Sequence, residues 1–158
     1  MTWDEVCANR YLQDLPFRIE TNRWGQIVMS PPHNDHSFAQ SSIYDLLKRL
    51  MRDGLTLQET VIDTTDGNKV ADATWMSDAF RHAHKGQSSF RDAPEICVEV
   101  KSPGNTMGEL MEKKDLYLQA GAGEVWIREQ SGGMLFFGAE GALERSELCP
   151  EFPLVVEI

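Results

Sequence analysis

The chain has 158 residues, with 15 Lys and Arg against 25 Asp and Glu and 41% hydrophobic residues, a composition typical of one globular domain over residues 1–158. Its longest apolar runs fall far short of the ~20 residues of a membrane-spanning helix, and its first residues lack a signal-peptide pattern. The distant cysteines Cys7, Cys97 and Cys149 suit neither a disulfide framework nor a zinc site. We therefore expect a cytoplasmic protein that is neither secreted nor membrane-spanning.

The net charge of -10 excludes a protein that coats nucleic acid nonspecifically, because such binding relies on many Lys and Arg side chains. The charge is uneven, however. Residues 81–91 carry Arg81, Lys85 and Arg91 and no acid. We interpret this stretch as a surface loop, either simply solvated or in local contact with phosphates.

The N-terminal half predicts a helix over residues 4–12 and then a β-hairpin with strands at 17–21 and 26–29. A second helix is predicted from about residue 36 to 52, because apolar residues recur there at the i, i+3, i+4 spacing of one buried face. Asp53-Gly54 ends it. The members of this stripe are Ile43, Leu46, Leu47, Leu50 and Met51.

The following segments predict a mixed α/β domain. Asp66-Gly67 joins two antiparallel strands. A strand, an amphipathic helix and another strand then indicate a parallel crossover connection. The predicted strands are 56–63, 69–76, 94–101, 124–129, 134–137, 142–146 and 154–157, and the predicted helix is 106–120.

Asp72 on one strand, with Glu99 and Lys101 on another, forms the most informative group of residues. Side chains at i and i+2 of a strand project to the same side, so Glu99 and Lys101 can approach one reacting atom. Two converging carboxylates are stabilised by a divalent cation such as Mg²⁺, and a nearby lysine stabilises developing negative charge. The alternative is a surface ion pair contributing roughly 0–1 kcal/mol.

With this order of residues the sequence resembles the PD-(D/E)XK nuclease superfamily, and more closely the Uma-two family of restriction-endonuclease-like proteins. The resemblance spans about residues 15–130. Each matching piece is weak, whereas their order and spacing are specific. The pieces lie at residues 15–20, 25–32 with His36, 70–72, 93–103 and 112–127.

The resemblance implies a restriction-endonuclease-like fold, in which helices flank a mixed central β-sheet and an N-terminal β-hairpin precedes it. It further implies that Mg²⁺ or Mn²⁺ is bound by Asp72, Glu99 and the carbonyl of Val100. Glu20 matches the acidic position of the hairpin, and Lys113 matches the helix lysine.

Two positions depart from the family pattern: Ala71 replaces a usual proline, and Lys101 stands where many relatives carry an apolar residue. Lys113 lies at the edge of the apolar stripe of its helix, and Lys114 lies near the middle. We favour Lys113, because an edge position lets its amine reach a polar cleft.

His33 and His36 are spaced i, i+3. With no third ligand nearby they are typical of a helix start or of packing, and only the family match draws attention to His36.

Two functional hypotheses follow. The first is a Mg²⁺- or Mn²⁺-dependent endonuclease acting on DNA, with Asp72, Glu99, Lys101, Lys113 and Glu20 at its site. The second is a catalytically silent nuclease-like module that acts through protein binding or self-association, which the acidic surface favours. A homodimer is expected under either, since cutting both strands of a duplex needs two sites and two-fold dimers are the commonest assembly.

Overall fold

The structure is a computed structural model that describes residues 1–158. Thirteen helices and strands follow one another along the chain, among them one short 3₁₀ helix, Arg10–Leu12. The helices are α1 Trp3–Ala8, α2 Asn34–Leu50, α3 Asp78–His84 and α4 Met107–Gln119. The strands are β1 Arg18–Thr21, β2 Ile27–Ser30, β3 Leu55–Thr64, β4 Gly67–Met76, β5 Ile96–Val100, β6 Glu124–Arg128, β7 Met134–Gly138 and β8 Gly141–Leu143.

The strands form two sheets: the β1-β2 hairpin, and a six-stranded sheet in the order β3-β4-β5-β6-β7-β8. All neighbours in the large sheet are antiparallel except β5 and β6, which are parallel and joined through α4. A mixed sheet with flanking helices and an N-terminal hairpin is the predicted architecture, and the parallel crossover is confirmed.

Each face of the large sheet is covered by its own apolar cluster. Ile96, Val98 and Val100 contribute to the larger cluster, which also holds the buried stripe of α2 and the C-terminal residues Phe152 and Val156. Cys97, the intervening residue of β5, packs instead with Tyr117 of α4. This alternation follows from strand geometry, and it turns the side chain of Glu99 toward α4.

The regular pairing of the sheet is interrupted at Asp72. Glu59 and Asp72 fall opposite each other in the β3-β4 register but do not form a ladder pair, and Glu59 has a left-handed φ of 54°. Ala71 and Ala73 pack into different clusters, although i and i+2 residues share a face on a regular strand. On its other side, β4 pairs with β5 only up to Ala73↔Val98. The sheet therefore opens where Asp72 and Glu99 lie.

Some predicted elements were wrong. Residues 4–12 do not form one helix, because the Asn9 side chain accepts a hydrogen bond from the Tyr11 N–H (2.9 Å) and starts a separate 3₁₀ turn. The stretch 81–91 is not all loop: it includes the end of α3, whose N-cap Ser77 accepts a hydrogen bond from the Phe80 N–H. The predicted strand over 154–157 is reduced to a single bridge, Gly133↔Val155. No helix combines the length and the apolar character needed to cross a bilayer.

Gly67 lies in the β3-β4 turn and packs against Thr21 of the β1-β2 hairpin, so its replacement should disturb this contact directly. Its φ is +86°, and a Cβ there would lie 2.6 Å from the Thr21 carbonyl oxygen. Gly67→Ala should lower the free energy of unfolding by about 1–3 kcal/mol in chemical denaturation. Gly86→Ala is the matched control, since Gly86 has φ +89° and a Cβ added to it would meet no atom within 4 Å. Equal losses in both variants would contradict this account.

Candidate active site

A cleft of about 700 Å³ lies between the β1-β2 hairpin, the start of α2, and α4. It is bordered by charged side chains from elements far apart in sequence, including Arg18, Glu20, His36, Glu99 and Lys113. Glu99 is among them, so the cleft reaches β5 beyond the last residue that pairs with β4. Acidic side chains in its wall, which also include Glu59, Glu109 and Glu112, outnumber its lysines and arginines.

Lys113 links two of the carboxylates. Its amine lies 2.7 Å from Oε2 of Glu20 and 3.5 Å from Oε1 of Glu99. The same Glu20 oxygen accepts the backbone N–H of Val70 (2.7 Å), which fixes the hairpin against β4. Tyr117, one turn after Lys113, donates its hydroxyl to Glu99 Oε1 at 2.7 Å. One helix therefore positions the lysine and orients the glutamate.

Asp72 is completely buried, and both of its oxygens are engaged. Oδ1 lies 2.6 Å from Nη1 of Arg18 and 2.9 Å from Nε2 of His36. Oδ2 accepts the backbone N–H of Val100 at 2.7 Å. The Asp72 side chain thus takes the place of a backbone partner for β5, and it is joined to the strand residue that follows Glu99.

The burial of these charges changes their acid–base properties. Burial raises the pKa of Glu99 to about 8, and the charges of Asp72 and Glu20 add to this effect against the opposing charge of Lys113. Asp72 behaves oppositely: although burial disfavours its charge, the His36 hydrogen bond and the Arg18 charge hold its pKa well below the ordinary value. Despite its own burial, Lys113 has a raised pKa because of Glu99 and Glu20. Asp72 thus favours the charged form and Glu99 the protonated form.

The two other candidate lysines lie elsewhere. The Lys101 amine donates to the carbonyl of Ser102 at 2.6 Å and makes no ion pair with Asp72 or Glu99. This placement contradicts the expectation that Lys101 and Glu99 reach one atom, because β5 ends at Val100 and strand alternation no longer controls the next residue. Lys114 pairs with Asp115 and lies over the Phe137 ring. Of the three candidate lysines, only Lys113 places its amine beside Glu20 and Glu99.

The remaining candidates separate into two groups. His33 is the N-cap of α2, accepting from the Asp35 N–H at 3.2 Å, whereas His36 contacts Asp72. Arg81, Lys85 and Arg91 do not line the cleft.

Arg18, Glu59 and Tyr117 were not recognised as site residues from the sequence. Arg18 contacts both Glu59 and Asp72, and Tyr117 contacts Glu99. The i, i+4 spacing of Lys113 and Tyr117 was the one available signal.

An opened mixed sheet that carries Asp72, Glu99 and a helix lysine has the architecture of a restriction-endonuclease-like protein. The chain belongs to the Uma2 family, described as "Putative restriction endonuclease", whose model matches residues 9–155. The resemblance given by the sequence is thereby confirmed.

A crystal structure of "a putative nuclease belonging to DUF820" from Anabaena variabilis has a similar fold, with a TM-score of 0.77 and 16% sequence identity. The similarity covers 98% of this chain and 94% of that one. No curated protein matches the chain.

The donor atoms of the site fit the divalent cation that a restriction-endonuclease-like protein implies, provided that Asp72 can be freed from its present partners. The side chains do not converge as a ready cluster of three His, Cys, Asp or Glu ligands. Asp72, Glu99 and the Val100 carbonyl, which also accepts from Asn105 Nδ2 at 3.1 Å, nevertheless offer oxygen atoms, which Mg²⁺ and Mn²⁺ prefer. Oε2 of Glu99 accepts no hydrogen bond from the protein and is not fully enclosed by it, so this oxygen is available to a cation. Asp72 becomes available only if Arg18, whose guanidinium contacts Oδ1, moves away.

Tyr117→Phe tests whether the Tyr117 hydroxyl holds the Glu99 side chain in place. Loss of a donor to a buried carboxylate should lower the free energy of unfolding by about 1–3 kcal/mol, measured by denaturant titration. Tyr44→Phe is the control, because the Tyr44 hydroxyl has no hydrogen-bond partner in the protein. A Tyr117 variant as stable as the Tyr44 variant would show that Lys113 alone secures Glu99.

Proposed function

We propose that this protein is a Mg²⁺- or Mn²⁺-dependent endonuclease that hydrolyses phosphodiester bonds of DNA, with its active site in the cleft. The observation that carries the proposal is the group of Glu20, Asp72, Glu99 and Lys113 at the opening of the sheet. Burying such charges costs several kcal/mol per ion before pairing, and packed apolar residues would stabilise the fold as well. A functional role explains why a sheet interior contains them.

Asp72 and Glu99, with the carbonyl of Val100, would hold the cation. When bound, it would supply an acidified water and neutralise charge on a phosphoryl oxygen. Lys113 stabilises the negative charge that develops on the phosphoryl group, and we assign it this role in place of Lys101. Glu20 keeps the Lys113 amine in position through their 2.7 Å contact and completes the acidic cluster directly or through water.

DNA is proposed as the substrate on the basis of family membership and of this chemistry. The acidic cleft wall would repel a phosphate backbone in the absence of bound cations, so DNA binding and cation binding should reinforce each other. Arg81, Lys85 and Arg91 remain candidates for phosphate contacts outside the cleft. We also propose that residues 1–158 form a single domain that acts as a homodimer, since cleavage of both strands needs two sites.

Plasmid and oligonucleotide cleavage with added Mn²⁺ tests the proposal. Glu99→Gln and Lys113→Met should each reduce the cleavage rate by at least about 10²-fold. Arg49→Gln is the control, because Arg49 is exposed on α2 and pairs only with Asp45, and it should cleave like the unaltered protein. Equal residual cleavage in all four proteins would indicate a contaminant and end the proposal.

A second candidate is a catalytically silent module that binds a protein partner or itself. The observation that favours it is the complete pairing of Asp72 with Arg18, His36 and Val100. Calorimetric titration with Mn²⁺ separates the two candidates. No cation binding, or binding unchanged by Glu99→Gln, supports the silent module, whereas binding lost in Glu99→Gln supports the nuclease.

A further inference from the structure

Arg18 bridges two carboxylates on neighbouring strands. Its Nη1 lies 2.6 Å from Oδ1 of Asp72, and its Nη2 lies 2.6 Å from Oε1 of Glu59. The Arg18 side chain is 19% exposed and borders the cleft, whereas Asp72 is fully buried and does not border it. The guanidinium therefore separates Asp72 from the cleft, together with His36.

The Arg18 guanidinium balances the negative charge of Asp72, as a bound metal cation would. The buried carboxylate is expensive to leave uncompensated, and Arg18 compensates it when no metal ion is present. Although burial disfavours its charge, the neighbouring carboxylates of Asp72 and Glu59 raise the pKa of Arg18 and keep the guanidinium charged. Two positive groups cannot share Oδ1 at close range without strong repulsion. Cation binding at Asp72 thus requires Arg18 to move.

Glu59 gives the displaced guanidinium a second anchor. This glutamate is half-exposed at the cleft, and its Oε1 also accepts from Nε2 of Gln40 at 2.9 Å. Its left-handed backbone conformation is strained in a non-glycine residue and persists only where the surroundings or a function impose it. Arg18 can therefore release Asp72, keep its contact with Glu59 and present free N–H groups to the cleft.

We propose that Arg18 is a displaceable stand-in for the cation: it occupies Asp72 in the metal-free protein and turns toward the cleft on loading, where it donates to the phosphate of the substrate. A guanidinium is suited to both positions, because its planar fork matches carboxylate and phosphate oxygens equally. The competition with the cation concerns Arg18 and Asp72 alone, whereas the phosphate contact rests on the proposed nuclease function.

Mn²⁺ affinity, measured by calorimetry on the intact protein without DNA, tests the competition. Arg18→Gln should bind Mn²⁺ at least about tenfold more tightly, because the competitor is removed. Arg18→Lys should bind about threefold more tightly, since one amine cannot bridge Asp72 and Glu59 as the fork does. Arg49→Gln, which removes an exposed arginine of α2, should bind like the unaltered protein.

Several outcomes decide the matter. Folded Arg18→Gln that binds Mn²⁺ equally or more weakly overturns the proposal. If Arg18→Gln does not fold, an unchanged affinity in Arg18→Lys overturns it instead.

The phosphate contact is judged by cleavage. Arg18→Gln should lose at least about 10²-fold in rate despite its tighter Mn²⁺ binding, and retained cleavage overturns this part. Tighter Mn²⁺ binding with no cleavage by the unaltered protein would support the competition while rejecting the nuclease function.

Discussion

Replacing Asp72 by asparagine is expected to abolish cleavage and to lower the free energy of unfolding by about 3–5 kcal/mol. The stability loss follows because Arg18 would lose its fully buried partner and keep only the half-exposed Glu59, and removing one member of a buried ion pair is strongly destabilising. Asp72 also accepts the Val100 N–H at 2.7 Å, which holds β5 where the sheet opens. Urea unfolding at neutral pH, with cleavage measured in parallel, checks both effects.

Asp45→Asn provides the control for this variant, because Asp45 and Arg49 form an exposed pair on α2 whose loss should cost less than about 1 kcal/mol. The pH dependence gives a second check. The pKa of Asp72 is held below the unfolded value, so its contribution is present above pH ~4 and lost as pH falls below it. An Asp72→Asn protein with unaltered stability at pH 7 would contradict the ion-pair account.

Glu99→Gln is expected to abolish cleavage with the opposite effect on stability. The pKa of Glu99 is raised to about 8 by burial, whereas an unfolded glutamate titrates near pH ~4.3. The folded state therefore binds the extra proton between these values, and stability falls as pH rises through this window. The slope should approach about 1.4 kcal/mol per pH unit. Glutamine cannot titrate, so the variant should lack this slope and exceed the unaltered protein in stability at pH 8.

Denaturant titrations from pH 5 to 9 in EDTA measure this difference. Glu140→Gln, at an exposed site, should keep the slope of the unaltered protein. Saturating Mn²⁺ should reduce the slope, because a bound cation favours the ionised carboxylate and releases its proton. A Glu99→Gln protein with the same pH dependence as the unaltered one would mean that Glu99 is not the buried proton carrier.

Most of the fold could be predicted from local patterns. The apolar stripe of α2, the Asp66-Gly67 turn and the alternation of Ile96, Val98 and Val100 each reflect a period fixed by backbone geometry. The failures have local causes of a different kind. Asn9 breaks α1 by a side-chain hydrogen bond, and the short α3 is too brief to show an apolar stripe.

The site was less predictable, because its contacts depend on where the sheet opens. Glu59 adopts a positive φ that no sequence pattern of a non-glycine residue indicates. Arg18 meets Asp72 from a distant part of the sequence, and nothing in either neighbourhood predicts the pair. Lys101 was misplaced for a related reason. Strand alternation predicted that it shares a face with Glu99, but β5 ends one residue earlier, at Val100.

An anomalous-difference map from a crystal of this protein soaked in Mn²⁺ would locate the bound cation. We expect a peak between the carboxylates of Asp72 and Glu99, within ligand distance of the Val100 carbonyl, with the Arg18 guanidinium turned away from Asp72. A fully occupied Mn²⁺ ion bound elsewhere, with the Arg18–Asp72 contact intact, would contradict this expectation.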